Sequence, residues 1–132
     1  MTTTAAPFLM FQEANAEEAM RFYVAAFPDG RVVSLETYTA EDTAPEGTVK
    51  LGVFEISGLT VKCTDSPMAH EFGFTPSVSL FVDCTTEEEL DAIVAALSDG
   101  GTYLMPPDNY GFSTKFAWVE DRFGVSWQIN LW

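Results

Sequence analysis

The chain repeats itself. Asn15-Ala16-Glu17-Glu18 through Val24-Ala25-Ala26 to Asp29-Gly30 lies over Thr85-Thr86-Glu87-Glu88 through Val94-Ala95-Ala96 to Asp99-Gly100 at an offset of 70 residues, without a gap. A sequence repeating at a fixed period uses one supersecondary unit more than once, because a single copy cannot bury its own hydrophobic face. Two acidic surface helices could share such a pattern through composition alone. The flanks argue otherwise: the strand-like runs Phe8-Leu9-Met10-Phe11 and Val78-Ser79-Leu80-Phe81-Val82 precede the two copies, and Phe11 and Phe81 also fall 70 apart.

Each copy reads as an amphipathic helix. Asn15 or Thr85 is placed to cap it, glutamates follow where the helix dipole favours anions, and Gly30 or Gly100 ends it. Ala19, Phe22, Tyr23 and Ala26, like Leu90, Ile93, Val94 and Leu97, form the apolar stripe of a helix lying on a sheet. Three further strands follow each helix: residues 31–38, 48–56 and 59–64 in the first half, 102–105, 115–120 and 125–131 in the second. Ser57-Gly58 reads as a tight hairpin turn. The predicted fold is therefore α+β, with two β-α-β-β-β modules, about residues 7–64 and 77–131, forming one curved, cup-shaped sheet of eight strands in a single domain spanning 1–132. The connections 41–47, 65–76 and 106–113 should rim the cup.

Composition narrows the function classes. With 47% hydrophobic and 14% aromatic residues the chain has ample apolar surface to offset the ordering entropy of folding. Twenty acidic against six basic residues leave a formal charge of -14, which repels phosphate backbones and anionic lipid, so neither nucleic acid nor membrane is an expected partner. Met1 to Pro7 carries no basic stretch leading into an apolar run, and the expectation is a cytoplasmic protein. Cys63 and Cys84 each sit in an apolar run and read as small buried hydrophobes.

Three segments carry a resemblance. The first is Asn15 to Tyr23 followed by Phe27-Pro28; the second is Asp65-Ser66 with His70, then Pro76 to Val82; the third is Leu104 to Ser113 with Trp118-Val119 and Phe123 to Gln128. Together they resemble the PhnB-like branch of the vicinal-oxygen-chelate superfamily, the glyoxalase and bleomycin-resistance group. The resemblance implies the cup-shaped fold and a homodimer. It also implies ligand positions on the first, fourth, fifth and eighth strands, where metal-dependent members carry His, Gln or Glu. Counting along this chain puts Phe8, Ser77 and Gln128 at three of these, while residues 59–64 offer no His or carboxylate at the fourth. A catalytic metal needs about three N, O or S donors, so the expectation is no metal and no other cofactor. His70, Asp65, Glu71 and Cys63 are the remaining donors near one loop.

The family parallel turns Phe8, Met10, Gln12, Ser77, Ser79, Phe81, Trp118 and Gln128 into the cup, with His70, Tyr110 and Phe112 on its rim. An aromatic and hydrogen-bonding lining suits a small neutral or cationic organic molecule. No catalytic residue stands out: His70 is the one histidine, and Asp65, Glu120 and Asp121 are the carboxylates to weigh. Three readings compete: a metal-independent binding protein or enzyme of unknown substrate, a metal-dependent lyase or dioxygenase, and an interaction module whose cup is filled by its own side chains. Sequences of this type often bear the name 3-demethylubiquinone-9 3-methyltransferase, but no glycine-rich strand-to-helix turn for S-adenosylmethionine is present, so the name describes no chemistry of these residues.

Overall fold

The computed structural model describes residues 1–132, which divide into two compact units, Met1–Glu71 and Phe72–Trp132. The first contains β1 (Phe8–Phe11), α1 (Ala16–Ala26), β2 (Arg31–Thr37), β3 (Val49–Ile56) and β4 (Leu59–Asp65). The second contains β5 (Ser79–Asp83), α2 (Glu87–Ser98), β6 (Thr102–Asp108), β7 (Lys115–Glu120) and β8 (Ser126–Leu131). Both are β-α-β-β-β, as the repeat predicts. Hydrogen bonding groups the eight strands as two four-stranded sheets with corresponding orders, β1-β4-β3-β2 and β5-β8-β7-β6. In each, the first strand pairs in parallel with the last and the other pairs are antiparallel. No helix is long and apolar enough to cross a membrane.

The helices pack by the expected stripe, with one exchange. In α1 the buried residues are Ala16, Ala19, Met20, Tyr23 and Ala26, so Met20 takes the place assigned to Phe22, which is only half-buried. Tyr23 stacks on Phe54 of β3 with ring centroids 5.8 Å apart. At Gly52 of β3 a Cβ would stand 2.5 Å from the Met20 sulfur, so the helix is seated where the sheet lacks a side chain. In the second unit Leu90, Ile93, Val94 and Leu97 are buried, as are Ala117, Val119, Trp127 and Ile129 of the sheet beneath them.

The helix starts differ between the units. Thr86, not Thr85, caps α2: its hydroxyl accepts the Glu89 amide at 3.1 Å, and Glu89 Oε1 accepts the Thr85 amide at 3.0 Å. The pair forms a near-reciprocal capping box, and the three-residue spacing selects Thr86. Asn15 stands at the cap of α1 but its side chain caps nothing.

The repeat holds in the helices and slips in the strands. Met20 and Leu90, Tyr23 and Ile93, and Phe27 and Leu97 are buried pairs 70 apart. Phe11 is buried on the helix side of its sheet, whereas Phe81 is 52% exposed on the opposite side of its own. Four residues join β1 to α1 and three join β5 to α2. The longer connection accommodates its extra residue with Ala14 at φ 56. One residue of slip inverts every side chain of a strand.

Several strand ends also differ from expectation. β4 runs one residue further, to Asp65, which faces the helix. β5 starts at Ser79, because Thr75 to Val78 form a turn closed by the Val78 amide on the Thr75 carbonyl. β6 continues through Pro106 and Pro107 to Asp108. Its register shifts between Met105 and Asp108, and as an edge strand it can spare the two missing donors. Cys63 and Cys84 are both buried and unpaired.

Candidate functional site

The face of the second sheet turned away from α2 concentrates the polar and aromatic residues. Period-two alternation sends Trp127 and Ile129 of β8 toward the helix and leaves Ser126, Gln128 and Asn130 on the other side. In register with them are Ser79, Phe81 and Asp83 on β5, and Glu120, Trp118 and Phe116 on β7. Trp118 Nε1 donates to Ser126 Oγ at 2.8 Å, the Ser126 and Ser79 hydroxyls bond each other at 2.7 Å, and Gln128 Nε2 donates to Ser79 Oγ at 3.2 Å.

This chain of four side chains has spare capacity. Whichever serine donates to the other, the second keeps a hydroxyl hydrogen that nothing in the chain uses, and Gln128 Oε1 still offers an acceptor. A half-buried surface thus presents one donor beside one acceptor, the complement of an amide, carbonyl or hydroxyl. Next to it stands an aromatic cluster. Phe112 meets Phe116 edge-on at 5.0 Å, Tyr110 meets Phe116 at 6.2 Å, and Phe81 lies 6.4 Å from Phe116. Tyr110 is held by its hydroxyl on the Pro106 carbonyl, and the tight turn through Gly111 at φ 97 brings Phe112 back beside it. Phe81 and Phe112 are each 52% exposed, so the rings border solvent instead of filling a core.

Of the residues singled out from sequence, Ser79, Phe81, Trp118 and Gln128 therefore share one face, with Tyr110 and Phe112 at its border. Ser77 is not on the strand: it lies in the preceding turn, exposed, its hydroxyl 2.7 Å from that of Thr75. In the first unit Phe8 and Met10 point away from α1, in register with Lys62 and Thr64 of β4. Gln12 lies past the end of β1, and its Oε1 accepts the His70 amide at 2.8 Å. His70 Nε2 is 3.1 Å from Ser66 Oγ, so the histidine braces its own loop.

Two of the three candidate carboxylates have structural duties. Asp65 Oδ1 accepts the Ala16 amide and Oδ2 the Val49 amide. Asp121 accepts the Phe123 and Val125 amides and the Trp127 indole N–H, closing the β7–β8 hairpin. Each is 4% exposed with its oxygens engaged. Glu120 is half-buried on the polar face, in register with Ser126.

Sequence reasoning missed Phe116 and Asp83 of this face. Both follow from alternation once Trp118 and Phe81 are assigned to it. Ser126 and Asn130 share the face of Gln128 by the same rule, but only the structure shows Ser126 joining Trp118 to Ser79.

The comparisons bear on this architecture. The sequence matches the family model described as 3-demethylubiquinone-9 3-methyltransferase over residues 3–130, nearly its whole length. The chain belongs to that family. Among solved structures, this PhnB-like protein is similar to a putative 3-demethylubiquinone-9 3-methyltransferase, PhnB protein, from Bacillus cereus, at 43% identity and a TM-score of 0.93, covering 98% of this chain and 100% of that one. The fold is shared with protein PA1353 of Pseudomonas aeruginosa at 20% identity and a TM-score of 0.83, over 98% of both chains. It is shared too with a glyoxylase/bleomycin resistance protein/dioxygenase domain from Frankia sp. EAN1pec at 13% identity and a TM-score of 0.71, over 99% of this chain and 92% of that one. The PhnB-like chain thus shares its fold with a glyoxylase/bleomycin resistance protein/dioxygenase domain. No curated protein matches it.

The groups that these names imply do not fit the residues present. Within neither unit do three or more His, Cys, Asp or Glu side chains gather closely enough to hold a metal ion. Of the positions that the resemblance assigns to metal ligands, Phe8 has no donor atom and Gln128 offers a single weak amide oxygen, fewer than the three or so donors a catalytic metal needs. For S-adenosylmethionine, the strand-to-helix connections are Gln12-Glu13-Ala14-Asn15 and Cys84-Thr85-Thr86, and neither contains the glycine that lets backbone approach such a cofactor closely.

Proposed function

We propose that this PhnB-like protein binds a small organic molecule on the polar and aromatic face of its second unit, with no metal required. The observation that carries the reading is the hydrogen-bonded series Trp118–Ser126–Ser79–Gln128, which leaves a donor and an acceptor uncommitted beside exposed rings. A side-chain network built only for stability would consume its own capacity; this one leaves part of it for a ligand. Ser77, in the turn that precedes β5, remains a candidate contributor to the same ligand. Methyl transfer and metal-assisted lyase or dioxygenase chemistry find no matching donor set, and we assign the protein neither.

The test is two-dimensional NMR of metal-stripped protein in EDTA, titrated with benzamide, which presents a ring, a carbonyl and an N–H. Shifts concentrated at Ser79, Phe81, Trp118 and Gln128 support the reading. Absence of shifts there, or shifts that arise only after nickel, zinc, manganese or ferrous iron is restored, overturns it.

We further propose a homodimer. Each sheet ends in strands with an unpaired edge, β1 and β2 in one and β5 and β6 in the other, and covering such edges is a common use of self-association. Sedimentation equilibrium at twice the 14.5 kDa chain mass supports the proposal, and a monomer at all concentrations ends it.

A further inference from the structure

The same face of the second unit has an electrostatic asymmetry. The unit's two basic side chains are both engaged with its helical side: Lys115 Nζ bonds Glu87 and Asp91 of α2 at 3.1 and 2.7 Å, and Arg122 bonds Asp99 at 2.9 Å. The face away from α2 holds the carboxylates of Asp83 and Glu120 and receives no cation from its own unit. Acidic residues alone would make only a solvated surface. One buried group indicates more.

Asn130 lies between Asp83 and Phe116 in the register of β5, β8 and β7. It is fully buried, and its Nδ2 donates to Asp83 Oδ1 at 3.2 Å. Its Oδ1 has no hydrogen-bond partner, the one buried side-chain nitrogen or oxygen in the protein left so. A buried acceptor without a donor is costly and calls for an explanation. The missing element is a donor, the neighbouring group is a carboxylate, and the adjoining wall is the ring cluster of Phe81, Phe112 and Phe116. A donor, a positive charge and an apolar body together describe one chemical class.

We propose that the ligand of this face is a small organic cation bearing N–H groups, an aryl or alkyl ammonium or a guanidinium. Its charge lies against Asp83, an N–H donates to Asn130 Oδ1, and its apolar part rests on the rings of Phe81 and Phe112. The inference rests on the binding reading above and narrows it to a ligand class. Carboxylate and ring faces attract the cation together, and burial of Asn130 Oδ1 rewards a donor over a quaternary ammonium of equal charge.

Three probes of one shape separate the contributions: benzylamine, benzyltrimethylammonium and benzyl alcohol, titrated by NMR against the full chain. Benzylamine is expected to shift the amides of Phe81, Asp83 and Asn130 and to bind about tenfold more tightly than benzyl alcohol, with the preference shrinking as salt is raised. Benzyltrimethylammonium should fall between them. Asp83→Asn, a conservative change at an exposed position, should abolish the preference for charge while leaving the spectrum otherwise folded. Asn130→Leu should remove the preference of benzylamine over the quaternary probe. Equal affinities for benzylamine and benzyl alcohol would overturn the cation assignment while the benzamide result keeps the binding reading alive. If no probe, benzamide included, perturbs this face, both fall.

Discussion

Asp65, the last residue of β4, holds the first residue of α1: its Oδ1 accepts the Ala16 amide at 3.0 Å across 49 positions of sequence, and its Oδ2 accepts the Val49 amide at 2.8 Å. Residue 15, where a local cap is expected, contributes no side-chain bond. The helix is thus capped by tertiary structure. Asp65→Ala strands two buried donors and should lower stability by roughly 2–6 kcal/mol, at about 1–3 kcal/mol for each unsatisfied group. Urea denaturation gives the number. A loss under about 1 kcal/mol would mean that water replaces the carboxylate and that the cap is dispensable.

Ser126 joins Trp118 to Ser79, and its removal should be felt optically. Ser126→Ala leaves the Trp118 indole N–H without its acceptor, so the fluorescence of the folded protein should change while stability falls by about 1–2 kcal/mol. Trp127, whose indole donates to Asp121, and the exposed Trp132 should not respond, and a Trp127→Phe/Trp132→Phe background isolates the signal. An unchanged spectrum would show that the network does not hold the indole.

Gly30 and Gly100 coincide in the repeat but are needed for different reasons. At Gly30 a Cβ would sit 2.1 Å from the Val24 carbonyl oxygen, whereas Gly100 holds φ +78 with open space apart from the Arg122 side chain at 3.0 Å or more. Gly30→Ala forces backbone apart and should cost upwards of about 2 kcal/mol. Gly100→Ala pays only the left-handed penalty of about 1–2 kcal/mol, and Gly100→Asn should recover part of it. Thermal midpoints of the three variants check the order.

The cysteines give a pH signature. Burial pushes the Cys63 thiol from 9.0 up to about 12, with Asp65 adding to it, and the Cys84 thiol from 9.0 up to about 11, with Glu89 and Asp83 adding to it. Raised folded-state values mean that the native chain keeps these protons where the unfolded chain releases them. The contribution is complete below pH about 9 and is lost as pH rises toward about 11 for Cys84 and about 12 for Cys63. Denaturation midpoints should therefore fall steeply above pH about 9, and a Cys63→Ala/Cys84→Ala variant, less stable at neutral pH, should show a shallower decline. Native thiols should also react slowly with disulfide reagents at pH 8. Parallel slopes for the two proteins would contradict this account.

The alternation in residues 125–131 and the gapless match of two helices made the paired β-α-β-β-β architecture legible from sequence, because hydrophobic period and repeat length are local properties that survive without coordinates. The family resemblance, combined with that alternation, placed Ser79, Phe81, Trp118 and Gln128 on one face. They failed at Ser77, which lies in the turn before β5 and not on the strand. They could not reveal that Asp65 caps a helix 49 residues away, that Asp121 is consumed by its hairpin, or that Asn130 is left with an unmet acceptor. Helix and strand follow from neighbours along the chain, but the duties of a buried polar group depend on which donors and acceptors distant segments bring within about 3 Å, and that is decided only when the sheets close.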